Sequence, residues 1–157
     1  MAVFLSLAAL QARAVFGVRM PNASMEPTLR AGQSLQVQPM SLPLVAALQR
    51  GDTVLFEAPS QSAELLVKRI VGLPGDVLEI RGKQLYRNRE EIDEAYAAHL
   101  DPEVHRHPGS DLWRRDQLSP TSVPEAHFYV LGDNRDRSYD SRSFGPVPAA
   151  SIIGRVL

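Results

Sequence analysis

Beyond residue 20, apolar and polar residues alternate over short stretches, the period of half-buried strands. Ser34 to Gln38 (SLQVQ) puts Leu35 and Val37 on one face, and Thr53 to Phe56 resumes the pattern after the turn-forming Arg50-Gly51-Asp52. Between them, Pro43 to Gln49 predicts one or two helical turns. Glu64 to Val71 is a strand rich in leucine and β-branched residues. Leu73-Pro74-Gly75-Asp76 carries proline then glycine at the central positions of a type II turn. Val77 to Ile80 and Gln84 to Arg87 flank Arg81-Gly82-Lys83 and predict a hairpin. The stretch from Ile92 to Pro124 is polar, holds four prolines and three histidines, and keeps no period. It predicts a surface excursion or small lobe. His127 to Leu131 returns to strand, a polar loop runs from Gly132 to Ser143, and Ile152 to Leu157 closes with a strand. The expected fold is mainly β: an antiparallel β-sandwich or partly open barrel with a small loop-rich insertion at about 92–124.

The first 18 residues differ from the rest. Met1 to Val18 is mostly apolar, but Gln11 and Arg13 interrupt the run. A bilayer crossing needs about 20 consecutive apolar residues, so this segment is short for one. Its expected role is the outer end of a membrane anchor or a segment lying in the membrane interface. The alternative is a helix or strand docked on the core. Residues 19–157 then form the folded domain.

Composition removes several kinds of chemistry. A net charge of −1 gives no electrostatic footprint for nucleic acid. The absence of cysteine excludes disulfides, thiolate metal sites and a cysteine nucleophile. Twelve prolines and ten glycines in 157 residues favour turns over long helices. No metal or organic cofactor is expected.

Three segments concentrate the remaining chemistry. In Met20-Pro21-Asn22-Ala23-Ser24-Met25-Glu26-Pro27-Thr28-Leu29, Ser24 sits among small residues and is fenced by two prolines, which restrict the backbone around its hydroxyl. Taken alone, Ser24 reads equally as a turn former or cap. In Leu66-Val67-Lys68-Arg69-Ile70-Val71, strand alternation gives Lys68 the same face as Leu66 and Ile70. Burial on that apolar face depresses the amine's pKa, and the neighbouring Arg69 charge acts in the same direction. A neutral lysine can then serve as a general base for a serine hydroxyl without histidine. The alternative is a lysine that snorkels to water at a strand edge. The third segment, Gly132-Asp133-Asn134-Arg135-Asp136-Arg137-Ser138-Tyr139-Asp140-Ser141-Arg142-Ser143-Phe144-Gly145-Pro146, mixes opposed charges with hydroxyls. It suits a loop ordered by its own ion pairs, or simply a solvated charged loop.

In order and wording these segments resemble the boxes of the type I signal peptidases, a family with a serine–lysine dyad. SMEPTL is similar to the nucleophile box, RGDTVLF to the strand box that follows, VKRIVGLPGD to the lysine box and GDNRDRSYDSRSFGPV to the last box. The resemblance runs from about Met20 to Arg155, with a weak stretch between Ile92 and Pro124. It implies Ser24 as nucleophile and Lys68 as base. It also implies a supporting hydroxyl on Ser138, and Asp140 acting through Arg69 and Arg142. Many bacterial members carry a serine two residues before the nucleophile; here that position is Asn22, whose amide can also donate to an oxyanion together with the Ser24 N–H. The implied substrates are exported preproteins cut after small-residue, Ala-x-Ala-like sites. Met25, Leu29, Leu66 and Ile70 are candidate pocket residues. The implied location is the cell membrane, at the lipid surface, with the catalytic domain on the extracytoplasmic face.

Two rival functions stay open at this point. A self-cleaving serine–lysine peptidase of the repressor type shares the dyad, but such chains carry a DNA-binding module and a cleavage site well upstream, and here only 23 residues precede Ser24. A non-catalytic β-domain that binds extended peptides would not require Ser24, Lys68, Ser138 and Asp140 together.

Overall fold

The structure, a computed structural model, describes residues 14–59, 64–110 and 112–157. Eleven strands among them form two antiparallel sheets. The larger sheet contains β1 (Phe16–Arg19), β2 (Ser34–Pro39), β3 (Thr53–Glu57), β4 (Leu65–Gly72), β9 (His127–Leu131), β10 (Val147–Pro148) and β11 (Ile152–Val156). Their order across the sheet is β1-β2-β11-β3-β4-β9-β10. The smaller sheet, in order β7-β6-β5-β8, contains β5 (Val77–Arg81), β6 (Gln84–Arg87), β7 (Glu90–Glu91) and β8 (Leu118–Ser122). The helices are single turns: α1 (Leu42–Val45), α2 (Trp113–Asp116) and α3 (Ser141–Phe144). The mainly β, antiparallel expectation holds.

Alternation in the sequence becomes alternation in burial. In β2, Leu35 and Val37 are buried while Ser34 and Gln36 face water. Each such buried aliphatic side chain contributes about 1.5–3 kcal/mol of apolar transfer. Strand β4 lies inside the larger sheet and is apolar on both faces. Its even positions join a cluster of Val54, Phe56, Leu66, Ile70, Phe128, Val130 and their neighbours. Among its odd positions, Val67 joins Met20, Met25, Leu35, Val37 and Leu55, and Val71 packs with Leu78, Ile80, Leu85 and Tyr129 where the two sheets meet. Gly72 is required at that junction, because a Cβ there would come within 2.7 Å of the Leu78 side chain.

Two strands depart from the sequence reading. The last residues of the apolar N-terminal segment do not stay apart from the fold: Phe16–Arg19 pair with Ser34–Val37 as an edge strand, the docked alternative for that stretch. Residues 1–13 of the expected anchor lie outside the described residues. The second is β8, inside the stretch read as aperiodic. Its sequence, LSPTS, contains Pro120, which argues against a central strand. The strand forms because it occupies the sheet edge beside β5, with a register shift between Leu78 and Ile80 that accommodates the proline.

Candidate active site

Ser24 and Lys68, 44 positions apart in sequence, meet in the interior. Lys68 Nζ donates to Ser24 Oγ at 2.7 Å and to the Val67 carbonyl at 3.1 Å. Ser24 is 3% exposed and Lys68 1%.

Each partner is held by its own element. Lys68 is opposite Val54 on β3, in the register that pairs Phe56 with Leu66. On the other side, Ile70 is opposite Val130 of β9. The lysine therefore rises from the apolar face that the alternation indicated. Ser24 lies in a one-turn 3-10 helix, Ala23–Met25, anchored by the fully buried Met25. The segment 132–134 fixes the serine backbone from the far side. Asn134 N–H donates to the Ser24 carbonyl at 3.0 Å, and Asn134 Nδ2 donates to the Ala23 carbonyl at 3.2 Å.

The amine sits in a mixed electrostatic setting. Desolvation is the largest effect and lowers its pKa to about 8; the Asp140 charge opposes this and the Arg142 charge assists it. Asp140 is fully buried. Burial raises its pKa, but the Arg142 charge and hydrogen bonds outweigh that, so the carboxylate stays below its ordinary range. Arg142 grips Asp140 with Nε at 2.9 Å and Nη2 at 2.8 Å, and the Gly132 N–H donates to the same carboxylate at 3.0 Å.

Other candidates fall in different places. Arg69 does not reach Asp140; it forms a fork with Asp133 at 2.8 and 2.6 Å, with Tyr96 stacked 4.2 Å from its guanidinium. The reason is strand parity, since Arg69 points to the face opposite Lys68. Ser138 Oγ is enclosed beside Asp140 and is among the groups that hold its carboxylate below the ordinary range. The four candidate pocket residues do not form one pocket. Leu66 and Ile70 are enclosed in one cluster, and Met25 and Leu29 pack in another. The concavity beside the nucleophile segment, about 450 Å³, is lined instead by Glu26, Pro27, Arg30, Ala98, Leu100 and Asn134. Asn22, expected as an oxyanion donor, accepts: its Oδ1 takes the Ser24 N–H at 3.0 Å.

Part of the loop-rich stretch straps onto this site. Ala98 N–H donates to the Asp133 carbonyl at 2.7 Å, and Arg135 N–H donates to the Ala98 carbonyl at 2.9 Å. Arg135, 2% exposed, is held by both Glu94 carboxylate oxygens at 2.7 Å. Reading the sequence did not single out Asn134, Asp133, Glu94 or Tyr96. Their side chains are ordinary loop residues until the fold brings residues 94–98 beside 132–135.

Gly132 is the tightest point. A Cβ there would collide with Ser138 and lie 2.5 Å from the Ser24 carbonyl oxygen. Gly132→Ala is therefore expected to cost about 1–3 kcal/mol of stability through overpacking. It should also lower kcat/KM at least tenfold, because displacing a reacting group by about 1 Å is worth roughly 10²-fold. A thermal melt and a rate measurement on the variant check both; a variant matching the parent in both contradicts the packing described.

The family profile described as "Signal peptidase, peptidase S26" matches residues 1–157. The chain belongs to that family. It is 34% identical over 137 residues to signal peptidase I V of Bacillus subtilis, covering 87% of this chain and 80% of that one. It is 35% identical over 144 residues to signal peptidase I of Leptolyngbya laminosa, covering 87% of this chain but 64% of the longer relative. A crystal structure of a signal peptidase I from Enterococcus faecalis superposes with a TM-score of 0.54 at 35% identity, covering 70% of this chain and 96% of that one. Membership in the S26 family makes this chain a serine peptidase, a hydrolase of the class that removes signal peptides from preproteins.

Proposed function

We propose that the chain cuts exported preproteins after small-residue, Ala-x-Ala-like sites, with Ser24 as nucleophile and Lys68 as general base. The observation that carries this reading is the 2.7 Å contact between Lys68 Nζ and Ser24 Oγ in an enclosed setting that lowers the amine's pKa to about 8. Around Nζ lie a carbonyl, which only accepts, and a hydroxyl, which can also donate. Nζ donates to both, and once the amine is neutral its lone pair can take the Ser24 hydroxyl proton.

The Ser24 proton moves to Nζ as Oγ bonds to the scissile carbonyl carbon, and the carbonyl oxygen becomes an oxyanion. The Ser24 N–H and the Asn22 amide serve as its donors. The ammonium of Lys68 then protonates the leaving nitrogen and the C–N bond breaks. Water, deprotonated by the neutral amine, cleaves the acyl-enzyme. Asp140 and Arg142 set the field around the amine, and Ser138 supplies an adjacent hydroxyl. Arg69 supports the last box from the opposite face through Asp133. The substrate lies extended along a sheet edge, its small side chains toward the concavity beside the nucleophile segment.

The catalytic unit begins with β1 at Phe16 and runs to Leu157, working at the extracytoplasmic membrane surface where exported preproteins emerge. No helix among the described residues is long and apolar enough to cross a membrane; the proposed membrane contact belongs to the residues that precede β1.

The test is incubation of the purified chain with a preprotein bearing an Ala-x-Ala site, followed by N-terminal sequencing of the product. A new N-terminus one residue past the second alanine is the expected result. An intact preprotein would favour the peptide-binding domain, and cleavage of the chain alone would favour the self-cleaving type.

A further inference from the structure

We infer that Asn22 is a latch that closes the oxyanion hole of the resting enzyme. Its Oδ1 occupies the Ser24 N–H and must swing away before the substrate carbonyl can enter. The inference rests on the proposed role of Ser24 as nucleophile.

At rest every polar group of Ser24 is engaged within the protein. The N–H donates to Asn22 Oδ1 at 3.0 Å, the carbonyl accepts from Asn134 N–H at 3.0 Å, and Oγ is bound to Lys68. An incoming carbonyl oxygen needs the first of these donors, which is already taken. The orientation of the Asn22 amide follows from chemistry, since a backbone N–H can be met only by the amide oxygen and not by its NH₂.

Which partner yields is decided by anchoring. The serine backbone is tied by Asn134 at two carbonyls and by the buried Met25, so its N–H cannot turn away. Asn22 is exposed, on extended backbone (φ −156°, ψ −178°), and its side chain can rotate into water. One rotation converts the group's role. The amide accepts from the N–H at rest, and once rotated it presents Nδ2 to the developing oxyanion. A serine two positions before the nucleophile is one bond shorter and carries donor and acceptor on a single atom.

A neutral hydrogen bond of this kind is worth about a 2- to 10-fold shift in the binding equilibrium. Two measurements test the latch, both independent of turnover. In the free enzyme, amide hydrogen exchange at Ser24, read by NMR, should accelerate about tenfold or more in Asn22→Ala and stay as slow as the parent in Asn22→Asp, which keeps the acceptor. In the uncleavable Ser24→Ala background, adding Asn22→Ala should tighten binding of a signal-peptide-derived peptide about 2- to 10-fold. Unchanged exchange in Asn22→Ala would overturn the latch, as would faster exchange without tighter peptide binding, which would leave Asn22 as a turn former only. Failure of the nucleophile assignment looks different, because Ser24→Ala would then still cleave.

Discussion

Replacing Lys68 by methionine should abolish cleavage while making the protein more stable at neutral pH. The two effects have one cause. Burial lowers the pKa of Lys68 from 10.5 to about 8, so keeping a charged ammonium in this site at pH 7 costs about 3 kcal/mol relative to water. A methionine of similar length fills the apolar face without that penalty, and Tm at pH 7 should rise on the order of 5–10 °C. The sign follows from proton counts. The folded pKa is depressed, so between about pH 8 and 10.5 the unfolded chain binds more protons than the folded one, and parental stability climbs with pH across that window. The advantage of methionine should therefore shrink over the same range and vanish above it. Turnover should fall by several orders of magnitude, about as far as in Ser24→Ala, because nucleophile and base act as a unit and their losses do not add. Lys68→Arg should be equally inactive, since a guanidinium keeps its proton. Substantial cleavage by any of these variants would end the dyad assignment, and a less stable methionine variant would contradict the buried-charge argument.

The second large effect is on the pH dependence of the rate. With a neutral amine as base, kcat/KM should rise about tenfold per pH unit up to a bend near pH 8 and then level off. Substrate packed along the sheet edge excludes more water, so the bend in kcat should lie at lower pH than that in kcat/KM. The competing bases are the histidines, whose ordinary range is near 6.5. Two of them have partners elsewhere: His127 Nδ1 bonds the Glu125 carbonyl, and His105 lies beside Asp101 and Ser110. Measuring both profiles for the parent and for a variant lacking all four histidines decides the matter. A bend near 6.5 that disappears with the histidines would replace lysine as the base.

The positions of most strands along the chain and the face on which Lys68 stands were legible in the sequence because both follow from local periodicity. A side chain two positions from Leu66 and two from Ile70 on a strand must share their face, whatever the rest of the chain does. The hairpin of β5 and β6 and the turn at Leu73–Asp76 were legible for the same reason: glycine and proline restrict backbone geometry within four residues. Strand β8 was not, because Pro120 is tolerated only through its edge position, and an edge exists only once the sheet has formed.

At the site, sequence supplied the residue types and their order, and the resemblance of the boxes joined Ser24 to Lys68. Partnership over distance is what the tertiary structure decided. The resemblance linked Asp140 to both Arg69 and Arg142, yet strand parity sends Arg69 to Asp133 and leaves Arg142 to neutralise Asp140. The stretch after Ile92 looked like an unattached excursion because its contacts span some 40 residues of sequence, from Glu94 to Arg135 and from Ala98 to Asn134. Asn22 shows the same division. Its chemistry, one acceptor and one donor group on a short arm, is a property of the residue, whereas its present use as acceptor depends on where the folded chain has fixed the Ser24 N–H. Periodicity acts over a few residues and can be read along a line; pairing of charges and hydrogen bonds depends on distance in space, which only packing sets.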